Sequence, residues 1–417
     1  MVWTLGRGLE VRNLSVEVGG RVALRGVDLE VGEGSVVAVE GPTGSGKTTL
    51  LKAVTGLLQT LYRGRRVEGY VRVLGLEPVD ALHRGIVAYV PQDPYSFFLA
   101  TTPAEEASLA GIDVGELRRC SGVDHRQSFV ELSDGQLYRV LLCLALLSGA
   151  KLLALDEPTS HVDPWGLREV MSSLREYAEE FGAVALVADH RPEVVEPYSD
   201  RVLRLGPVEA PCRLQEVIPS GDGEVVASLR EASVGYGSRV AVEGVTLEVR
   251  RGGGLALLGR NGAGKTTVLR ALAGLLKVSG ARYVSRGSRV FVVPQSPLYW
   301  FQGGTVEEEL KTFSRGSCRD VVELLGIGGL LSRSTYSLSV GESRLVSLAL
   351  ALASGADVVV LDEPTLGLDC DGRRRVARAL ARVAEEGGSV VVATHDPVFA
   401  EVFKEVYLVE GGRLRPT

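Results

Sequence analysis

Residues 41–49 and 259–267 of this 417-residue chain read GPTGSGKTT and GRNGAGKTT, and both fit the phosphate-loop pattern G-x-x-x-x-G-K-[ST]. Glycines at these positions let backbone N–H groups turn inward around a phosphate at a helix N-terminus. The lysine would reach the terminal phosphates, and the next Thr hydroxyl would ligate Mg²⁺. The residues predicted to bind nucleotide are Gly41, Pro42, Thr43, Gly44, Ser45, Gly46, Lys47, Thr48, Thr49, Gly259, Arg260, Asn261, Gly262, Ala263, Gly264, Lys265, Thr266 and Thr267.

Two pairs of adjacent acids follow apolar runs, Asp156 with Glu157 and Asp362 with Glu363. Each Asp is predicted to hold Mg²⁺, directly or through water, beside Thr48 or Thr266. Each Glu is a candidate general base for the attacking water. Successive side chains diverge at the end of a strand, so neighbouring acids can divide these tasks. The alternative is a solvated acidic turn, because a proline comes next in both places.

The chain repeats its motifs in one order at a spacing of about half its length. The matching pairs are VPQDP at 90–94 and VPQSP at 293–297, LSDGQ at 132–136 and LSVGE at 338–342, and LDEPT at 155–159 and 361–365. Such a period is too long for a solenoid and indicates two homologous domains in tandem. We predict domains at 8–206 and 225–417, joined by a linker at 207–224 that is rich in breakers of periodic structure.

The elements that must position these residues are short apolar runs alternating with amphipathic stretches. The runs predicted to be buried strands are 36–39, 152–155, 184–187, 255–258, 358–361 and 390–392. Continuous apolar strands separated by helices indicate a parallel sheet covered on both faces. Each phosphate loop follows one such strand and precedes a helix-like run, at 50–58 or at 268–276. The predicted fold class is α/β, twice over.

Together these motifs resemble the ATP-binding cassette (ABC) ATPases over almost the whole chain. Leu132–Gln136 and Leu338–Glu342 are similar to that family's LSGGQ signature. Other matches follow in family order: Gln92 and Gln295 resemble the glutamine loop, Asp163 and Asp369 the D-loop aspartates, and His190 and His395 the switch histidine. Taken singly, a Ser before a helix is usually a cap and a strand-end His a hydrogen-bonded residue. Six motifs in one order, twice, favour the family.

The resemblance implies a RecA-like parallel-sheet core in each domain, with an antiparallel β subdomain and a helical signature subdomain. It implies ATP and Mg²⁺ as cofactors, catalytic roles for the glutamines and histidines named above, and Mg²⁺ contacts for Gln92 and Gln295. It also implies that the two domains pair head to tail within the chain. Ser339 and Gly341 would then close over nucleotide at 41–49, and Ser133 and Gly135 over nucleotide at 259–267.

Both halves keep the lysine, the acid pair and the histidine, so two hydrolytic sites are predicted. Departures from the family pattern leave open whether the two sites are equivalent. The family places an aromatic residue upstream of the phosphate loop to stack on adenine. Tyr236 fills that place in the second half, but Val18 occupies it in the first. In the signatures, Asp134 and Val340 replace a glycine, and Glu342 replaces the usual glutamine.

Charge, apolar run length and cysteine content narrow the classes of protein to which this chain could belong. The net charge of −6 argues against a protein whose main task is to grip nucleic-acid backbone, so no direct nucleic-acid partner is expected. The longest apolar run, Val140–Leu147, is too short to span a bilayer, and residues 1–7 do not resemble a secretory signal. The five scattered cysteines predict neither a disulfide framework nor a metal site, which favours a reducing cytosol.

Apolar, aromatic stretches follow both glutamine loops, at Tyr95–Leu99 and Leu298–Phe301. In importers of this family, that region receives a helix of a membrane subunit; packing inside the helical subdomain is the alternative. With the acidic segments at 101–106 and 305–309, these stretches are similar to the ATPases of energy-coupling factor (ECF) transporters. That resemblance implies uptake of a vitamin or a transition-metal ion, membrane-embedded coupling and substrate-binding subunits, and a peripheral position on the cytoplasmic face of the membrane.

Two other functions stay open. One is a soluble tandem ABC ATPase acting on ribosomes or nucleic acid, although the long charged linker and the Cys-rich motifs of such proteins are missing from this sequence. The other is a sugar-importer ATPase. The sequence is silent on the cargo, because in transporters the cargo contacts lie on partner subunits.

Overall fold

A computed structural model describes residues 7–42, 44–92, 94, 97–132, 134–158, 164–189, 195–206, 212–236, 239–295, 300–316 and 318–417. The chain divides into two compact units, Met1–Pro211 and Cys212–Thr417, called here the first and the second unit. The division falls inside the segment predicted as a linker.

The first unit alternates strands and helices. Its strands are β1 (Arg7–Val18), β2 (Arg21–Gly32), β3 (Val36–Glu40), β4 (Arg65–Val73), β5 (Val87–Val90), β6 (Leu152–Asp156), β7 (Val184–Asp189) and β8 (Arg201–Arg204). Its helices are α1 (Lys47–Val54), α2 (Leu57–Leu61), α3 (Pro78–His83), α4 (Pro103–Leu109), α5 (Val114–Ser121), α6 (Asp134–Leu147) and α7 (Pro164–Phe181). A parallel sheet has the order β5-β6-β7-β3-β8, and an antiparallel sheet has the order β2-β1-β4.

The second unit repeats this plan. Its strands are β9 (Val225–Tyr236), β10 (Arg239–Arg250), β11 (Gly253–Gly259), β12 (Ser279–Val284), β13 (Val290–Val293), β14 (Val358–Asp362), β15 (Ser389–Thr394), β16 (Val406–Glu410) and β17 (Arg413–Pro416). Its helices are α8 (Lys265–Leu272), α9 (Val306–Phe313), α10 (Arg319–Leu325), α11 (Val340–Ala353), α12 (Cys370–Glu385) and α13 (Pro397–Ala400). The main sheet has the order β13-β14-β15-β11-β16-β17, with only β17 antiparallel, and β10-β9-β12 form the antiparallel sheet.

The central strand β3 shows why the main sheet must be covered on both sides. All its residues are buried. Val37 and Val39 pack in a core with α1 and the antiparallel sheet, whereas Val36 and Ala38 pack in a second core with α6 and α7. Alternate residues of a strand face opposite sides of its sheet, so a continuous apolar strand needs a layer on each side. The prediction of a doubly covered α/β fold is confirmed.

The helix-like runs after the phosphate loops end earlier than their apolar pattern predicts. In the first unit, α1 stops at Val54 and α2 begins at Leu57, with Gly56 between them at φ +81°. A Cβ at Gly56 would lie 2.6 Å from the carbonyl oxygen of Pro78, so the chain turns where only glycine fits. In the second unit, α8 ends at Leu272, and Gly274 has φ +79°.

The expectation that the cysteines form no disulfides is wrong. Cys120 on α5 is bonded to Cys143 on α6, and Cys212 is bonded to Cys370 at the start of α12. The Cα–Cα distances of 5.9 and 5.4 Å suit a disulfide. These pairs lie 23 and 158 residues apart in sequence, and such separations carry no local signature of pairing. The cysteines therefore no longer support a reducing compartment.

The described part of the predicted linker packs on α12 of the second unit. Besides the disulfide of Cys212, the backbone oxygen of Arg213 accepts a hydrogen bond from Arg374, and Glu216 accepts one from Arg378. Ile218 then forms a parallel bridge with Phe403. The chain from 212 onward is thus part of the second unit before β9 begins.

Within the described ranges, every helix is too short or too polar to cross a bilayer.

Candidate active sites in the two units

Each phosphate loop joins a buried strand to a helix that begins without a side-chain cap. Gly46 precedes α1 and Gly264 precedes α8, at φ +97° and +107°. A Cβ at Gly46 would lie 2.5 Å from the Ala23 oxygen, and one at Gly264 would lie 2.6 Å from Val242 Cγ1. Because no side chain caps these two helices, their first-turn N–H groups are suited to an anion. Both loops fit a phosphate.

The two loop lysines are buried and lie across their own loops. Lys47 Nζ donates to the carbonyl oxygens of Gly41 at 2.6 Å and Pro42 at 3.2 Å. Lys265 Nζ donates to those of Gly259 at 2.9 Å and Arg260 at 3.1 Å. An ammonium group has three donors, so a phosphate in the loop can replace one or more of these carbonyl partners.

A Thr hydroxyl and an Asp carboxylate meet at the expected Mg²⁺ position in both units. Thr48 Oγ1 donates to Asp156 Oδ1 at 3.1 Å, and Thr266 Oγ1 donates to Asp362 Oδ2 at 2.7 Å. Burial raises the pKa of both carboxyls, that of Asp362 to about 6. Among the described residues, none hydrogen-bonds the buried Oδ1 of Asp362. A buried oxygen beside a hydroxyl fits Mg²⁺, which prefers oxygen ligands.

Tyr89 is a site residue that lies outside all the motifs identified in the sequence. Its hydroxyl donates to Asp156 Oδ2 at 2.8 Å, and burial followed by the nearby Asp156 charge raises the pKa of the phenol. Val292 occupies the matching position of β13, so the second unit lacks this contact. A tyrosine inside an otherwise aliphatic strand just before the glutamine loop was the available signal.

The two candidate base residues have an unusual backbone. Glu157 and Glu363 have φ +48° and +51°, in the left-handed region that non-glycine residues rarely adopt. Their N–H groups donate to the next strand, to Ala188 O at 2.8 Å and Ala393 O at 2.9 Å. Backbone conformations of this kind persist where the surrounding structure holds them, often at functional sites.

The side chain of Glu363 lies in a buried cluster of charges. Its Oε1 is 3.5 Å from Lys265 Nζ, and its Oε2 is 2.9 Å from His395 Nδ1. Burial alone would raise the pKa of Glu363, but His395 and Lys265 outweigh it and lower the pKa to about 2. A base this weak takes up a proton poorly. Movement of Lys265 onto a phosphate would raise the pKa and strengthen the base.

The same position in the first unit is less enclosed. Glu157 Oε2 accepts a hydrogen bond from Gln92 Nε2 at 2.7 Å, and its Oε1 is 3.9 Å from Lys47 Nζ. The structure therefore brings Gln92, Glu157, Asp156, Thr48 and Lys47 together. In the second unit it brings Lys265, Thr266, Asp362, Glu363 and His395 together, while Gln295 joins through its backbone oxygen, which accepts from Arg344.

The signature of the second unit starts a helix. Ser339 caps α11: its Oγ accepts from the Glu342 N–H at 3.2 Å, and Glu342 Oε2 accepts from the Ser339 N–H at 2.7 Å. This capping box uses the glutamate that replaces the family's glutamine. The Ser339 hydroxyl proton is not used in the box, so it can still donate to a phosphate. Gly341 lies against the D-loop, since a Cβ there would be 3.0 Å from the Gly367 oxygen.

Several predicted residues cannot be placed. Thr43, Ser133, Asp163 and His190 lie outside the described residues, as does the side chain of Tyr236. The other D-loop aspartate, Asp369, caps α12 by accepting from the Gly372 N–H at 2.8 Å. Val18 is partly buried and packs against the core of the first unit.

The aromatic stretches after the glutamine loops are described only in part. Phe98 stacks on Phe129 with ring centroids 3.7 Å apart. Trp300 contacts Phe291 and Phe313. Leu99, by contrast, is 86% exposed. Packing within the unit therefore accounts for most of the described aromatic residues, while residues 95–96 and 296–299 lie outside the described ranges.

Comparison with known proteins shows the family of the chain. The family model described as ABC transporter matches residues 24–160 and 242–366. A candidate ABC transporter ATP-binding protein of Sulfurisphaera tokodaii is 30% identical, over 93% of each chain. One from Saccharolobus solfataricus is 26% identical, over 96% of this chain and 92% of that protein.

Solved structures share the fold over the full length. RNase-L Inhibitor is 24% identical with a TM-score of 0.70, covering 97% of this chain and 90% of that one. A chain from ribosome-bound archaeal Pelota and ABCE1 is 25% identical with a TM-score of 0.75, covering 100% of this chain and 79% of that one. With both phosphate loops, both acid pairs and both signatures in family order, the chain belongs to the ABC transporter family and is a tandem ABC ATPase that uses ATP and Mg²⁺.

Proposed function

We propose that each unit binds one MgATP and that ATP holds the two units together head to tail. In this arrangement the signature of one unit closes over the phosphate loop of the other. The observation that supports it is the duplication of the whole site, including an uncapped helix N-terminus and a Thr hydroxyl bound to a buried Asp in both units. Hydrolysis would release the pairing and so convert chemical energy into movement.

The residues divide the reaction as follows. Lys47 and Lys265 bind the terminal phosphates, and Mg²⁺, when bound beside Asp156 or Asp362, neutralises charge on them. Glu157 and Glu363 orient a water and accept its proton as it attacks the γ-phosphate. His395 holds Glu363 in place. The Ser339 hydroxyl donates to a phosphate oxygen of the ATP held by the first unit.

The pairing of the units can be tested through the signature. Ser339→Ala is made in two backgrounds, Glu363→Gln, where only the first unit hydrolyses, and Glu157→Gln, where only the second does. If the sites are shared, turnover falls at least about tenfold in the Glu363→Gln background and changes little in the other. The opposite pattern would mean that each unit seals its own site. Ser337→Ala, an exposed serine two residues away, is the matched control.

Two cellular roles are candidates for this ATPase: action on ribosomes and membrane transport. Action on ribosomes is supported by the likeness to the chain from ribosome-bound Pelota and ABCE1. Membrane transport is supported by the names of the relatives, which match over 92–93% of their length. The comparisons support the ribosome candidate better than ECF-type uptake of a vitamin or metal ion, which they do not specifically support. Of the aromatic residues that suggested an ECF groove, Phe98 and Trp300 pack on aromatic rings of their own units.

One fractionation separates the two. The Glu157→Gln, Glu363→Gln double variant is expressed in a homologous host and trapped with ATP, and the lysate is split into membranes and ribosomes. Co-sedimentation with ribosomal subunits in high salt supports the first candidate. Recovery with integral membrane proteins from a detergent extract supports transport through coupling and substrate-binding subunits on the cytoplasmic face.

A further inference from the structure

Arg344 connects three parts of the second unit. It lies on α11, two residues beyond the signature, and only 7% of it is exposed. Its Nη1 donates to the backbone oxygen of Glu363 at 3.3 Å, and its Nη2 donates to the backbone oxygen of Gln295 at 3.0 Å. One side chain thus ties the signature helix to both the candidate base and the glutamine loop.

The shape of the guanidinium suits this task. Arginine presents several N–H donors in one rigid plane, so two carbonyls on different segments can be held at a set separation. Glu363 needs such support, because its backbone lies in the left-handed region at φ +51°. Neighbouring residues of α11, from Ser343 to Ala351, are buried, so the helix itself is a firm base for the contact.

The first unit has a different residue at this position. The matching position, five residues after Ser133, is Tyr138, which is fully buried. A tyrosine has a single hydroxyl and so one donor, and it cannot donate to two carbonyls at once. In the first unit the Glu157 side chain instead accepts from Gln92, on the glutamine loop. The two units therefore hold their candidate bases by different contacts.

We propose that Arg344 is a positioning residue for hydrolysis in the second unit: it keeps the Glu363 backbone and the glutamine loop in register with the signature helix. The inference rests on the proposed role of Glu363 as general base. Under this proposal, hydrolysis in the second unit depends on Arg344, whereas the first unit has Tyr138 at the matching position. The two sites would therefore differ in their rates of hydrolysis.

The test measures ATP hydrolysis by Arg344→Met and Arg344→Lys. Methionine keeps the packing of the stem but removes both hydrogen bonds, whereas lysine keeps the charge and one donor. We expect kcat of Arg344→Met in the Glu157→Gln background to fall about tenfold or more with KM for ATP changed less than about twofold, because small misplacement of a catalytic group is costly. Arg344→Lys should recover part of the loss. The Glu363→Gln background should respond little.

Arg139→Met, which alters an exposed arginine on α6, is the matched control. If Arg344→Met lowers kcat equally in both backgrounds and also lowers the melting temperature, Arg344 has only a general structural role and the proposal is overturned. An unchanged kcat when Arg344→Met is the only substitution would also overturn it. If one background shows no ATP hydrolysis at all, the proposal is tested instead by the kcat and KM of the single variants Arg344→Met and Arg344→Lys. The role of Glu363 is judged separately, by Glu363→Gln alone.

Discussion

Glu157 and Glu363 occupy matching positions but differ in their surroundings. Glu363 is buried between Lys265 and His395, and the pKa of its carboxyl falls to about 2. Glu157 contacts Lys47 more loosely and is bound by the Gln92 amide. A carboxylate that contacts a lysine and a histidine is held more firmly, but it is a weaker base until the lysine moves away. The residue-scale differences therefore predict unequal turnover at equal ATP occupancy.

Substitution of either glutamate tests its role. Glu363→Gln and Glu157→Gln remove the base with little change in volume, and each should slow hydrolysis at its own site by about 10²- to 10⁴-fold. Single-turnover hydrolysis of radiolabelled ATP measures the loss, and ATP binding should persist. Glu179→Gln, which alters an exposed ion pair with Arg175, is the control. Turnover equal to that of the parent chain in both glutamine variants would contradict the assignment.

Asp362 predicts a pH dependence of Mg²⁺ binding. Burial raises the pKa of its carboxyl to about 6, so the neutral acid accumulates as the pH falls below that value. Mg²⁺ needs the ionised carboxylate, and its apparent affinity should therefore weaken as the pH falls from 7 to 5 and recover on return. Titration of ATPase activity with Mg²⁺ at several pH values measures this in the Glu157→Gln background, where only the second unit hydrolyses. Asp362→Asn should abolish the dependence at the second site, and an unchanged dependence in that variant would disprove the assignment.

At the scale of elements, the turn that starts α1 decides whether a phosphate can approach. Gly46 combines a positive φ with a neighbouring carbonyl at 2.5 Å from a Cβ position. Gly44 also has a positive φ, +83°, but nothing lies within 4 Å of a Cβ there. A substitution at Gly44 would therefore cost free energy only through backbone conformation, whereas one at Gly46 would also cost the free energy of a steric clash.

Gly46→Ala should therefore weaken ATP binding at the first site far more than Gly44→Ala does. The positive φ alone costs a non-glycine residue about 1–3 kcal/mol, and the clash at Gly46 adds the displacement of β2 or of the loop. Calorimetric titration with ATP in a Lys265→Ala background reports on the first site alone. Equal losses for the two variants would show that conformation, and not close approach, governs the turn.

At the scale of the whole molecule, the disulfide between Cys212 and Cys370 holds the end of the linker on the D-loop helix α12 of the second unit. It closes a loop of 158 residues, long enough for a large entropic effect on the unfolded chain. The ion pair between Arg378 and Glu216 lies along the same segment. The segment from 212 onward thus has both covalent and ionic anchors on its unit.

Cys212→Ser should destabilise the second unit by about 2–4 kcal/mol. Thermal unfolding with and without a reductant measures this, and reduction should remove the difference between the variant and the parent. Cys318→Ser, at the one described cysteine outside a disulfide, is the control and should leave the melting temperature nearly unchanged. If reductant leaves the melting temperature of the parent chain unchanged, the disulfide between Cys212 and Cys370 does not contribute this stability.

The amino-acid sequence is enough to predict the tandem repeat, the α/β class, the central strands and the positions of the phosphate loops and acid pairs. These depend on local spacing and on the burial of apolar runs, which a linear pattern records. Contacts between distant segments become visible only in the folded chain: Cys212 with Cys370, Tyr89 with Asp156, and Arg344 with Glu363. The fold also packs Phe98 and Trp300 against aromatic rings of their own units. Such pairings depend on how strands and helices are brought together in space, and no spacing along the chain encodes them.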